Sequence, residues 1–231
     1  MTPAAEPETP PADLVVDLVV IAKEPVPGRV KTRLSPFYTP AEAAALAEAA
    51  LRDTLAAVTA APAGRRTLAL SGAPGPWLPG GVAVVAQRGG GLDERLAAAF
   101  ADAYAGRPLV LIGMDTPQVT PALLGAAGRA LARRDAVLGP ASDGGFWLLG
   151  LRRPDARLLR GVPMSTPRTG AAQLARLRAA GLAVAVLPEL TDVDVPADAA
   201  AVAGLAPATR FAAAVRALRP ARAAREGGVP A

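Results

Sequence analysis

Short apolar runs alternate along this chain with longer segments of helical character. Leu18–Ala22 reads as a strand. Thr39-Pro40-Ala41-Glu42 then opens a helix that runs to about Ala60. Thr39 suits the N-cap, Pro40 suits the first turn, and Glu42 completes a capping box. Strands follow at Thr67–Ser71 and Val82–Gln87. Gly89, Gly90 and Gly91 break the chain before a helix at Asp93–Ala105. Leu109–Gly113 is apolar throughout, as expected of a central parallel strand covered on both faces. Thr120-Pro121 caps the next helix, which ends near Ala132. Ala136–Gly139 and Phe146–Leu151 read as two strands around a turn. A helix at Thr169–Ala180, a strand at Ala183–Leu187, an acidic loop and one or two last helices complete the order. Such alternation predicts an α/β fold of βαβ units, with a mostly parallel sheet and helices on both faces.

The ends differ from the body. Met1–Ala12 is rich in Pro and Glu, has no apolar signal region and reads as a disordered lead-in. Pro220–Ala231 reads as a second loose tail, which leaves 13–219 as one domain. No run reaches membrane-spanning length without a charge or a proline, so a cytoplasmic location is the default expectation.

Composition narrows the chemistry. The chain has neither cysteine nor histidine. That removes a thiol nucleophile, a zinc-thiolate site, the usual general base and the commonest transition-metal ligand. Carboxylates, hydroxyls, Lys and Arg remain, with a hard cation bound through oxygen. The net charge of +5 suggests nucleic acid at first, but the arginines are scattered and stacking aromatics are scarce. No nucleic-acid partner is expected.

Only two lysines occur, Lys23 and Lys31, and both lie in Lys23-Glu-Pro-Val-Pro-Gly-Arg-Val-Lys-Thr-Arg33, directly after the first strand. A basic loop shaped by Gly and Pro at a strand end can hold phosphates with backbone N–H groups and cationic heads. An ammonium is also a compact, flexible charge where guanidinium is a flat fork. In open α/β sheets ligands bind at the carboxyl ends of the strands, and four acids are placed there. Asp115 follows Leu109–Gly113, Asp143 lies in the Gly139–Gly145 turn, and Asp192 and Asp194 follow the last strand. Asp115, with Asp192 or Asp194, would clamp one Mg²⁺ (or Mn²⁺) from two sides, the ion keeping waters and substrate phosphates. Other roles fit some of these acids: Asp194 has the spacing of a helix cap, and Asp143 before two glycines that of a turn former. Asp17 is expected exposed at a strand edge.

The ordered motifs Ala22–Leu34, Leu92-Asp-Glu-Arg-Leu96, Ile112-Gly-Met-Asp-Thr-Pro117, Leu138–Gly145, Ser165-Thr166 and Asp192-Val-Asp194 resemble the bacterial branch of the nucleotide-diphospho-sugar transferase superfamily. Members are often labelled glycosyltransferases, and relatives include the molybdenum-cofactor and phospholactate guanylyltransferases. The resemblance implies a GT-A type three-layer α/β/α fold and nucleotide held by Ala22, Lys23, Gly28, Arg29, Lys31 and Arg33. It implies Mg²⁺ on Asp115, Asp192 and Asp194. It places Asp143, Gly144, Gly145, Ser165 and Thr166 on the acceptor side. Met164 stands where an aromatic commonly precedes Ser-Thr, Phe146-Trp147 replaces a Tyr-rich pair, and no Asp-x-Asp pair ends at Asp115.

The expected function is a Mg²⁺-dependent transferase using a nucleotide donor. Attack of a small phosphorylated or hydroxylated acceptor on the α-phosphorus would release pyrophosphate. Lys31 and Arg33 would act with Asp115 in catalysis by holding the departing phosphates. Such chemistry needs positioning and charge neutralisation more than a protein base. Glycosyl transfer from a nucleotide-sugar on the same site is the first alternative, and a nucleotide-binding subunit without turnover is the second. A homodimer is left open.

Overall fold

The computed structural model describes residues 15–226, so the lead-in expected over 1–12 and the last five residues lie outside the described part. Seven strands form one sheet: β1 (Asp17–Lys23), β2 (Arg66–Ser71), β3 (Ala83–Ala86), β4 (Leu109–Gly113), β5 (Ala136–Pro140), β6 (Phe146–Leu151) and β7 (Val184–Val186), in the spatial order β3-β2-β1-β4-β6-β5-β7. All pairings are parallel except those of β6, which runs antiparallel to both β4 and β5. The reversal brings the first residue of β6 to the edge where the parallel strands end.

Side chains alternate across the sheet, and helices cover both faces. Leu18, Val20, Leu68, Val110 and Ile112 pack on α1 (Pro40–Ala60) and α3 (Pro121–Arg133). Val19, Ala69, Leu109, Leu111 and Leu149 pack on α2 (Leu92–Ala103) and on Leu177 of α4 (Thr169–Ala179). This is the expected three-layer α/β/α fold with a mostly parallel sheet.

A smaller core joins α1 to α5 (Pro196–Leu205) and α6 (Arg210–Glu226) through Leu46, Ala50, Val202, Phe211 and Val215. The Asp53 carboxylate, on α1, accepts from the N–H groups of Arg210 and Phe211 and so caps α6 across space. The Thr39/Glu42 capping box forms as the residue pattern requires, with Thr39 N–H to Glu42 Oε2 at 2.8 Å and Glu42 N–H to Thr39 Oγ1 at 3.3 Å.

Two expectations change. Asp17 is buried, not exposed: its Oδ1 accepts from Arg65 N–H at 2.8 Å and faces Arg107 at 3.5 Å. The loose tail placed from Pro220 does not begin there, because helical backbone continues to Glu226. The Ala- and Arg-rich segment after Pro220 favours helix strongly enough to carry it. Among the described residues no helix is long and apolar enough to cross a membrane.

Candidate active site

The loop after β1 forms one wall of the site. Glu24 fastens it, accepting from Ala73 N–H at 2.9 Å. The Gln87 amide donates to the carbonyls of Ala22 at 2.6 Å and Ala69 at 3.0 Å, closing the ends of β1 and β2. Gly28 turns the loop with φ of 76°. Lys31 then takes a left-handed backbone, φ 48° and ψ 39°, just before a 3₁₀ turn, Thr32–Leu34. A bulky residue is rarely found in that region unless its surroundings hold it there. Here Leu34, fully buried in the α1/α5/α6 core, anchors the turn that follows.

The opposite wall carries the acids. Asp115 stands two residues beyond β4. In Asp192-Val193-Asp194, Val193 is buried in the same small core as Leu34, which turns its two acidic neighbours away from that core. Val193 N–H donates to the Asp115 carbonyl at 3.0 Å, and the Gln118 amide donates to the Thr191 carbonyl at 2.7 Å, so the two acidic loops are tied together. Asp198 on α5 accepts from the N–H groups of Asp194 and Val195 at 3.0 and 2.8 Å. The helix-capping role open to Asp194 therefore belongs to Asp198, and the Asp194 side chain is released for the site.

Lys31 joins the walls. Its Nζ lies 2.9 Å from Asp115 Oδ1 and 3.2 Å from Asp194 Oδ1, and Arg33 Nη1 lies 3.1 Å from Asp194 Oδ2. Burial opposes the charge on Lys31, but Asp115 and Asp194 outweigh it and hold its pKa above the ordinary lysine value. Asp192 is the acid in excess. Burial, then the negative charges of Asp115 and Asp143, push its carboxyl up to about 7, with Lys31 pulling the other way.

These groups share a cleft of about 840 Å³ at the carboxyl ends of the parallel strands. Lys23, Arg29, Lys31, Arg33, Asp115, Asp143, Asp192 and Asp194 all line it, as do Gly145, Ser165 and Thr166. The sequence-selected residues are thus brought together, with a few differences of detail. Ala22 reaches the cleft wall while its side chain packs in the core. Gly28 and Gly144 shape turns behind the wall. Asp143 accepts from Gly145 N–H at 2.7 Å, the turn-forming role its sequence allowed. Thr166 hydrogen-bonds to Thr169, and Ser165, with φ of 57°, lies exposed on the cleft. Gln87, Arg95, Phe146, Trp147 and Met164 also line it and were not selected as site residues. Of these, Arg95 carried a signal as the cation of Leu92-Asp-Glu-Arg-Leu96, and Phe146, Trp147 and Met164 as positions where the chain departs from the motifs it resembles, while Gln87 carried none.

No group of three or more carboxylates among the described residues is drawn together as a metal-ligand shell. The donor chemistry nonetheless suits a hard divalent cation. Asp115 and Asp194 converge on one cationic centre, the Lys31 ammonium, and Asp192 adds a third carboxyl to the same cleft. Magnesium needs only one or two carboxylates when water and phosphate complete its shell.

Residues 43–166, more than half of the chain, match the family described as "uncharacterized protein conserved in bacteria" (DUF2064). No curated protein matches in sequence. Among solved structures, a candidate nucleotide-diphospho-sugar transferase from Desulfovibrio desulfuricans G20 is similar at 27% identity, over 87% of this chain and 94% of that one, with a TM-score of 0.78. Rv0371c of Mycobacterium tuberculosis H37Rv, solved in complex with manganese, shares the fold at 22% identity over 83% of this chain and 98% of its own, with a TM-score of 0.53. CMP:2-keto-3-deoxy-manno-octonic acid synthetase, solved in complex with CTP, does so at 13% identity over 83% and 98%, also with a TM-score of 0.53.

Proposed function

The chain belongs to this bacterial family, and we propose that it is a divalent-metal-dependent transferase that takes a nucleotide donor in the cleft and passes its nucleotidyl group to a small acceptor. One observation carries the reading. A basic loop after the first strand and three acids from two other strand ends face each other across one cleft, in a chain without histidine or cysteine. That set is suited to neutralising and orienting phosphates, which is what phosphoryl-type transfer chiefly requires. The CTP bound by the synthetase and the manganese bound by Rv0371c support the donor class and the metal.

Asp115 and Asp194, with Asp192 beside them, would hold the cation, which when bound supplies positive charge for the donor phosphates. Lys23 and Arg29 line the same cleft and form no ion pair among the described residues, so their charge is available to phosphate oxygens. In the reaction an acceptor oxygen bonds to the α-phosphorus as the bond from phosphorus to the bridging oxygen breaks. Pyrophosphate leaves with that electron pair. An acceptor that is already anionic gives up no proton, so no general base is required.

Glycosyl transfer from a nucleotide-sugar is the second reading, favoured by the Desulfovibrio protein's description. A thermal-shift panel of nucleoside triphosphates and nucleotide-sugars, each with and without Mg²⁺, selects the donor. A ligand at 100 times its dissociation constant adds about 2.7 kcal/mol of stability. Labelled donors then separate the reactions: pyrophosphate release supports the proposal, and nucleoside diphosphate release supports glycosyl transfer. Stabilisation with no product under any acceptor would leave only nucleotide binding.

A further inference from the structure

The Lys31 ammonium sits against one oxygen of each carboxylate that the proposed cation needs. It is 2.9 Å from Asp115 Oδ1 and 3.2 Å from Asp194 Oδ1, with only 10% of the side chain exposed. The contact is built in, not incidental. The residue is held in a left-handed backbone by a turn whose Leu34 is fully buried, and Asp194 is fixed by Val193 on one side and by the Asp198 cap on the other. A divalent ion binds oxygen at roughly 2.0–2.1 Å for Mg²⁺. It cannot share these two oxygens with an ammonium already in contact with both, because two cations so close together repel strongly where the side chain is largely shielded from water. Anionic phosphates entering from the side of Lys23 and Arg29 offer the ammonium an alternative partner.

We infer that Lys31 is a resident counter-cation that keeps free divalent metal out of the site and yields it only when the donor's phosphates arrive. The inference rests on the metal-dependent reading above and adds to it a coupling between metal and nucleotide. Metal alone binds weakly, nucleotide alone binds weakly, and each strengthens the other, as linkage requires. Lysine suits the task because its flexible stem lets a point charge move between carboxylate and phosphate, whereas a planar guanidinium is bound to one fork geometry.

Two measurements test this. In the first, Mn²⁺ alone is titrated calorimetrically into wild-type protein and Lys31→Met, a near-isosteric change that leaves the backbone demand unaltered. The expected result is at least a tenfold tighter Mn²⁺ affinity in the variant, with weaker binding of metal-free nucleoside triphosphate. Unchanged or weaker Mn²⁺ binding by the variant overturns the inference. The second needs no variant, since only two lysines exist. Wild-type protein is exposed to an amine-reactive reagent, and labelling at Lys23 and Lys31 is read by peptide mass. Exposed Lys23 should react throughout. Lys31 should be protected in metal-free protein and become reactive on saturation with Mn²⁺. Protection that persists at saturating Mn²⁺ overturns the inference even if Lys31→Met does not fold. If wild-type nucleotide binding shows no dependence on metal at all, it is the metal-dependent reading that fails instead, and the two failures are thereby distinguished.

Discussion

Gly144 has φ of 87°, and a Cβ there would collide with the carbonyl of Pro167, in the segment that carries Ser165 and Thr166. Gly144→Ala is therefore expected to cost about 1–3 kcal/mol, read as a lower urea midpoint, and to displace the Ser165–Thr166 segment from the cleft. Asp192 makes a pH prediction for metal-free protein. Its carboxyl titrates at about 7 in the folded state against an ordinary 3.8. Folding thus retains a proton that the unfolded chain releases. The stabilising contribution is complete below the ordinary value and is lost as pH rises through about 7. In EDTA, melting temperature should fall from pH 5 to pH 8, and Asp192→Asn should flatten that fall. Of these residues, the acids and the lysines were legible as types at strand ends. Their pairing was not, because Lys31 and Asp194 lie far apart in the chain and nothing local draws them together. Asp17 was misread for the same reason, since Arg107 and the Arg65 N–H that bury it come from distant segments.

The helices were legible where they carry their own start signals. Thr39-Pro40-Ala41-Glu42 and Thr120-Pro121 both cap as their side chains dictate. Where one residue suits two roles, the sequence leaves the choice open. Asp194 has the spacing of a cap for α5 and also a place among the acids of the site, and in the structure it is Asp198 whose carboxylate takes the N–H groups at the start of the helix. Asp198→Ala should cost about 1 kcal/mol in melting experiments. It should also weaken metal-nucleotide binding, since Asp194 loses the bond that fixes its backbone, and Asp198→Asn should recover most of both. Strand direction was less legible. An apolar run such as Phe146–Leu151 looks alike run either way, and only the short turn from β5 hints that β6 reverses. The helical backbone that runs past Pro220 to Glu226 was not legible, because the Ala- and Arg-rich sequence there favours helix without any apolar periodicity to announce it.

At the scale of the molecule, the alternation of strands and helices was sufficient to predict three layers, since parallel strands must be covered on both faces. The site follows from that architecture. Strands that end on one edge deliver Lys31, Asp115 and Asp194 to one cleft from segments far apart in the chain. Calorimetry of the nucleoside triphosphate chosen by the panel, with and without Mg²⁺, in wild-type protein and in Asp115→Asn, tests the central claim most directly. The amide is nearly isosteric but uncharged, and the fold should persist. The account predicts Mg²⁺-dependent binding in wild type and at least a tenfold loss of it in the variant. Equal affinity in the two proteins, or binding indifferent to Mg²⁺, would contradict it.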